Sequence, residues 1–458
     1  MKTHRVLALL LMLSLRVVAQ QGDARTTQTP DVRFKTDVLL IVAHPDDEAG
    51  VSAYLAQLLD QGKRVAAVYL TRGEAGHNDM GRERAASLGA VREMELRHAL
   101  AQLGIENVWF LGGRDTPSQD VLQSLANWHH GAALEDVVRI VRLTRPNVIL
   151  TWLPGFFIGE NHGDHQAAGV IATEAFDLAG DPSVFPAQIA QPRHVNETLL
   201  EGLQPWQPEK MYFFSDASDD KQFKGKGPSY PVTGVSGKRN LLYWRIAMNE
   251  FRFHRTQYRS YIEKLEGMND EQLARIAGTD QDGWASPVQF IFGKSIVPGG
   301  VTEDVFEGVR SVSVAYFRSA SPAPVEHIGV SAVIGGPWSF YEAFRRMHAL
   351  DRLPQAEIPE IAIAAASTLQ VPLILRNDTT EAADVSVATT LPEGWAQKDG
   401  SRRYLLSPGD VVPIQMELTT PAKKSDQVIE LAFRVSSLGR PIGVVKMRVR
   451  VGSGGLPQ

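Results

Sequence analysis

The chain has 458 residues, 43% hydrophobic and 22% charged, which is enough apolar material to bury more than one core. Its formal charge of −5 is spread along the sequence without a Lys/Arg tract, which argues against a nucleic-acid partner. The absence of cysteine excludes a disulfide framework, a lipoprotein anchor and every thiolate metal site, so any metal must be held by nitrogen and oxygen.

Lys2, His4 and Arg5 precede the apolar run 6–15, and Val17-Val18-Ala19 before Gln20 resembles a small-residue cleavage site. A signal peptide over 1–19 is expected, directing the chain to a secreted or periplasmic location. The run is too short to span a bilayer, and no later stretch reads as transmembrane.

Between residue 37 and about 215, short apolar runs alternate with amphipathic stretches. Strands are predicted over 38–43, 65–71, 107–111, 147–153 and 210–214, and helices over 51–59, 82–103 and 134–144. This alternation predicts an α/β fold: a Rossmann-like, mostly parallel sheet with helices on both faces. Sheets of this kind place their sites beyond the carboxyl ends of the strands.

The first strand runs into His44-Pro45-Asp46-Asp47-Glu48. So many ionisable groups at one strand end are expensive to desolvate unless something compensates them. One solution is a helix start, with Asp46 or Asp47 as N-cap and Glu48 in the first turn. The other is a divalent metal, for which His and Asp are good ligands. A second cluster, Glu160-Asn161-His162-Gly163-Asp164-His165, follows the fourth strand and favours the metal. His44, Asp47 and His165 supply two nitrogens and a carboxylate, the count of a catalytic zinc that keeps one position open. Water on such an ion is acidified toward a pKa of about 7. Asp46 is then available as a general base, and an imidazolium at His162 can face a developing oxyanion, worth about 3 kcal/mol. The residues alone leave open which Asp ligates and whether His162 is a fourth ligand.

Residues 216–240 are polar and read as a surface loop, with helical segments following over 240–265 and 271–276. Between 296 and 349 only a strand over 310–317 and a helix over 340–348 are suggested. From residue 358 the texture becomes strand-like, with strands predicted over 361–365, 371–376, 385–390, 412–419, 428–436 and 444–451. Turn signals such as Pro392-Glu393-Gly394 and Ser407-Pro408-Gly409-Asp410 separate them. An immunoglobulin-like β-sandwich over 355–453 is expected behind a catalytic domain over 37–349.

The motifs A-H-P-D-D-E at 43–48 and H-G-D-H-Q-A-A-G at 162–169 resemble the PIG-L/LmbE-like family of zinc-dependent N-acetylglucosaminyl deacetylases. Leu70-Thr71-Arg72-Gly73-Glu74-Ala75-Gly76, the helix from Arg92 to Gly104, Gly113-Arg114-Asp115 and His254-Arg255-Thr256-Gln257 are similar to further family motifs, so the likeness spans roughly 37–260. The resemblance implies that His44, Asp47 and His165 bind Zn2+, that Asp46 is the general base, and that His162 stabilises the oxyanion or acts as acid. It implies substrate contacts at Arg72 and Asp115, and an N-acetylated glycan or glycoconjugate as substrate. Where many members carry Pro in the second motif, this chain has Gly163. Asp164 reads as an N-cap or a partner of a ligand, Glu48 as a helix start, and His254 as a core histidine. His129 and His130 read as an exposed pair, and Trp152, Phe156 and Phe157 as either core or the wall of a sugar site.

Overall fold

The computed structural model describes residues 30–452 except 156–161, 193, 195, 217–222, 279–282, 311–326, 354–357 and 399–401. The expected signal peptide, Phe156, Phe157 and nearly all of the expected strand 310–317 lie outside the described residues.

The five apolar runs form parallel strands: β1 (Val38–Val42), β2 (Val65–Tyr69), β3 (Val108–Phe110), β4 (Val148–Trp152) and β5 (Lys210–Phe214). All but β3 are buried at every position, which is why they read as continuous rather than alternating apolar runs. Between them lie α1 (Ser52–Asp60), α2 (Ala86–Leu103), α3 (Val121–Asn127), α4 (His130–Thr144) and α5 (Gly163–Leu178). After β5 come β6 (Ser229–Tyr230), α6 (Tyr243–Phe251), α7 (Arg255–Glu266), α8 (Asp270–Ala277), β7 (Val288–Gln289) and β8 (Ile291–Ser295). The sheet order is β3-β2-β1-β4-β5-β8, with β8 antiparallel to β5. The strand order reverses between β1 and β4, so the crevice for a ligand opens at their carboxyl ends. His130, read as one of an exposed pair, pairs with Glu174 at 2.6 Å and ties α4 to α5.

The helical stretch expected over 240–265 is two helices, α6 and α7, with Tyr258 in a non-helical conformation (φ −135°, ψ 34°) inside α7. Helical periodicity runs through both, but the chain bends at His254 because that side chain is drawn into a buried ion pair described below.

The C-terminal part begins with β9 (Val330–Ile334) and α9 (Pro337–Met347), followed by β10 (Glu360–Ala364), β11 (Thr368–Asn377), β12 (Ala383–Thr390), β13 (Ala396–Gln397), β14 (Arg402–Leu406), β15 (Val411–Thr419), β16 (Ser425–Ser437) and β17 (Arg440–Gly452). Two sheets, β10-β17-β16-β12-β14 and β13-β15-β11-β9, face a shared core that includes Val371, Leu373, Val385, Leu431, Phe433 and Met447. β9 pairs with β11 through Leu373↔Ile334 to Asn377↔Val330, so the sandwich recruits a strand from before the expected boundary at 355. The helix α9 then returns to the first core, burying Tyr341 and Phe344 there, while Trp338 packs on the sandwich core. No helix among the described residues is long and apolar enough to cross a membrane.

Candidate metal centre and active site

β1 ends at Val42, and the chain turns through a 3-10 segment, Asp47–Gly50. Asp46 sits at φ 109°, a region a non-glycine residue adopts only when its surroundings hold it there. Neither Asp46 nor Asp47 caps α1, whose N-cap is Val51. The carboxylate of Asp47 has another use. Its Oδ2 accepts from the amides of Ala43 and His44 at 2.8 and 2.9 Å and from the Trp152 indole at 2.6 Å. Those three donors saturate Oδ2 and leave Oδ1 facing His165 Nε2 at 3.3 Å and His44 Nδ1 at 3.6 Å. Tetrahedral ligands about 2.1 Å from an ion stand roughly 3.4 Å apart, close to the two distances from Asp47 Oδ1, and the three ligand atoms all lie within 4.8 Å of one another.

The second nitrogen of His44 faces two more carboxylates, Asp164 Oδ2 at 3.2 Å and Asp115 Oδ1 at 3.3 Å. A carboxylate behind a ligating imidazole fixes its tautomer and raises its basicity. Burial opposes charge on His44, but Asp115, Asp164 and Asp47 outweigh it and hold its pKa well above the ordinary value. Asp47 is held well below its ordinary value: burial opposes this, and His165 and His44 prevail. The donors are thus two imidazoles among three buried carboxylates, an environment that favours a cation. The residues fit a divalent ion at His44, Asp47 and His165.

His162, not Asp164, is the N-cap of α5: its Nδ1 accepts from the Asp164 amide at 3.2 Å, which leaves the proton on Nε2. Burial, then His44 and His165, push this imidazole down to about 3. The expected imidazolium is therefore a neutral ring with one N–H. Trp152 lies flat on His165, ring centroids 4.0 Å apart and planes within 2°.

Asp46 is held from the start of α7. Its Oδ2 accepts from Gln257 Nε2 at 2.5 Å and the Tyr258 hydroxyl at 2.8 Å. Burial, followed by the charge of Asp47, pushes Asp46 up to about 6. The start of α7 is fixed by His254, whose Nε2 lies 2.7 Å from Glu48 Oε1 with both side chains fully buried. Glu48 Oε2 accepts from the Tyr69 hydroxyl and the Asp46 amide at 2.9 and 3.1 Å. Glu48 is thus a tie between the loop after β1, β2 and α7. The motif His254-Arg255-Thr256-Gln257 signalled this segment, but nothing in it pointed to Tyr258.

The loop after β3 latches to the segment after β2. Asp115 Oδ2 accepts from the Ala75 amide at 2.8 Å, and Glu74 Oε1 from the Asp115 amide at 2.9 Å. Beside them opens a cleft of about 410 Å³ lined by Glu74, Ala85, Arg114, Asp115, Gln123 and Asn127 among others, within the range of small-molecule sites. Arg72, expected to contact substrate, does not line it. Its guanidinium pairs with Glu93 at 2.7 Å, reaches the Leu111 carbonyl at 3.1 Å and lies over the Phe110 ring. The exposed cation at the cleft is Arg114. A second arginine, Arg92, is buried and bonds the carbonyls of Gly73 and His77 at 2.7 and 2.9 Å. Gly73 adopts φ +64°, and a Cβ there would stand 2.5 Å from Arg92 Nη1, so this arginine accounts for the glycine.

Gly163 has an equally local cause. Its amide donates to the Ser118 carbonyl at 2.7 Å, and a Cβ would meet Ser118 and Asp120 backbone atoms at 2.9 Å. Proline has neither the N–H nor the room.

Fold and site together define an α/β protein with a candidate metal centre at the switch point of its sheet. The chain belongs to the PIG-L/LmbE-like deacetylase family: the family model described as PIG-L, GlcNAc-PI de-N-acetylase, matches residues 39–176. It is 32% identical over 213 residues to the 1D-myo-inositol 2-acetamido-2-deoxy-alpha-D-glucopyranoside deacetylase of Geodermatophilus obscurus, covering 41% of this chain and 72% of the relative. The protein of the same name from Thermobifida fusca is 29% identical over 244 residues, 48% of this chain and 82% of the relative. Among solved structures, the N,N'-diacetylchitobiose deacetylase from Pyrococcus horikoshii matches with a TM-score of 0.38 and 22% identity, over 56% of this chain and 83% of that one.

Proposed function

We propose that this chain is a zinc-dependent N-deacetylase that hydrolyses the acetamido group of an N-acetylated amino-sugar, as a free glycan or a glycoconjugate. The observation that carries the proposal is the convergence of His44 Nδ1 and His165 Nε2 on the one free oxygen of Asp47, with Asp46 adjoining in the chain. The names of the relatives, deacetylases of an acetamido-glucopyranoside, support the substrate class. Zinc is supported by the two-nitrogen, one-oxygen donor set, the complement of a catalytic site that keeps a position open.

When bound, the ion supplies a Lewis acid that polarises the amide carbonyl and acidifies water. Asp46, its Oδ2 tethered by Gln257 and Tyr258, uses Oδ1 to take the proton of the attacking water and later delivers it to the departing amine nitrogen. His162, neutral with its proton on Nε2, donates a hydrogen bond to the carbonyl oxygen as negative charge develops there. Asp164 and Asp115 hold the His44 ring, and Asp115 with Arg114 offers polar groups to the sugar hydroxyls at the cleft.

We read residues 1–19 as a signal peptide that places the enzyme outside the cytoplasm, which N-terminal sequencing of the mature protein tests. The sandwich is read as immunoglobulin-like, a view supported by the parallel pairing of β10 with the last strand, β17.

The experiment is acetate release from a panel of N-acetylglucosamine compounds by zinc-loaded protein beside Asp46→Asn. Release by the wild type, reduced about 10²–10⁴-fold in the variant with metal still bound, is the expected result. Silence across the panel from protein that holds one zinc per chain overturns the amino-sugar substrate and turns attention to a non-sugar amide. Silence from protein that binds no metal overturns the enzyme and favours a carbohydrate-binding surface protein.

A further inference from the structure

We propose that the C-terminal sandwich is a brace for the cleft, with Gln119 and Tyr341 as the positioning residues through which it acts; the proposal takes the cleft as the substrate site of the preceding reading. Two struts carry it, one on each loop bordering the metal cluster.

The first strut is Gln119. Its Nε2 donates to the Ala362 carbonyl at 2.6 Å, and its Oε1 accepts from the Ala362 amide at 3.1 Å. Ala362 is the middle of β10, the outer strand of its sheet, whose other side pairs with β17. The glutamine side chain thus occupies the free edge as a neighbouring strand would, satisfying a donor and an acceptor that an edge otherwise exposes. Gln119 sits in the loop that forms the cleft wall at Arg114, Asp115 and Thr116. That same loop accepts the Gly163 amide at the Ser118 carbonyl and donates from the Thr116 amide to Asp164 at 2.9 Å. What fixes Gln119 therefore fixes the cleft wall against the start of α5.

The second strut is α9, which leaves the sandwich through β9. Its Tyr341 ring lies so close to the turn after β4 that a Cβ on Gly155 would stand 2.0 Å from the ring. Trp152, the support of Asp47 and His165, ends the strand just before that turn. At its far end α9 is anchored by His348, whose Nδ1 lies 2.7 Å from Asp177 on α5. The loop after β3 reaches the backbone of β10 through Gln119, and the Tyr341 ring rests on the turn after β4, so the module sets the width and register of the cleft, not merely the stability of a neighbour.

The test uses the full chain carrying Gln119→Ala, beside Arg403→Ala, which removes an exposed pair with Asp384 on the sandwich and touches neither loop. Hydrogen exchange of backbone amides is measured first, because it needs no turnover. In Gln119→Ala the amides of Thr116, Gly163 and Ala362 are expected to exchange about fivefold faster, the order of change for one lost hydrogen bond, while β2 and β4 are unchanged. For any N-acetylated substrate that is turned over, KM rises severalfold at unchanged kcat and metal content, and Gln119→Glu, which retains the acceptor for the Ala362 amide, recovers part of it. Faster exchange at Ala362 alone, or equal effects in Arg403→Ala, overturns the brace. If no substrate is turned over, the deacetylase reading fails while exchange at Thr116 and Gly163 still decides this one.

Discussion

The Tyr258 hydroxyl donates to Asp46 Oδ2 at 2.8 Å, across 212 positions of sequence, and with Gln257 it commits that oxygen so that the other is free for chemistry. Hydrogen bonds to a charged group contribute about 1.5–3 kcal/mol, and each 1.36 kcal/mol is tenfold in rate. Tyr258→Phe is expected to lower kcat on the order of tenfold while KM and bound metal stay put. Steady-state kinetics with metal analysis checks it; loss of metal in the variant would show that Tyr258 supports the ligands instead.

Trp152 holds Asp47 in a single-oxygen orientation and covers the face of His165. Removing the indole N–H in Trp152→Phe frees Oδ2 and loosens both ligands. Metal affinity is expected to fall about 10–100-fold, the usual effect of losing a ligand's hydrogen-bond partner. Competition with a chelator measures this directly, and wild-type affinity in the variant would contradict the single-oxygen argument.

Proline at the first position of a helix is locally favourable, and this chain has Gly163 there. Here tertiary contact decides the matter. Gly163→Pro loses the amide bond to Ser118 and presses carbons on the backbone of Asp120, so a loss of about 1–3 kcal/mol is expected. Thermal unfolding reads it as a lower Tm. An unchanged or raised Tm would mean that the loop of Ser118 yields freely.

Glu250 belongs to the buried group around His254, and burial, then the charge of Glu48, pushes it from 4.5 up to about 8. Between those values the folded protein keeps a proton that the unfolded chain has released. Its contribution is full below pH 4.5 and is lost as pH rises through 8. Glu250→Gln imitates the protonated form, so its stability relative to wild type should rise between pH 5 and pH 8.5. Denaturant unfolding at the two pH values measures the difference; a constant offset would place the proton elsewhere.

The parallel sheet was legible because β1, β2, β4 and β5 are apolar at almost every position, and the candidate metal group because both polar clusters stand at strand ends. Residues whose purpose depends on distant partners were harder to read. Arg72 and Arg92 stand on one motif each, and only packing reveals that Arg72 is spent on Glu93 while Arg92 is buried between glycines. Tyr258 and Gln119 carry no local signal, since each acts on a residue more than two hundred positions away. β9 is a short stretch whose register is set entirely by β11.

His44 and Asp47 come from the end of β1, whereas His165 comes from the helix that follows β4, and the two strands are adjacent only in the finished sheet. No segment of the unfolded chain carries the complete donor set. On the proposed reading, ion capture is a late event in maturation, coupled to completion of the central pairing. On the proposed export route, the metal would be drawn from the supply at the destination, and scarcity there would limit the active fraction without altering synthesis.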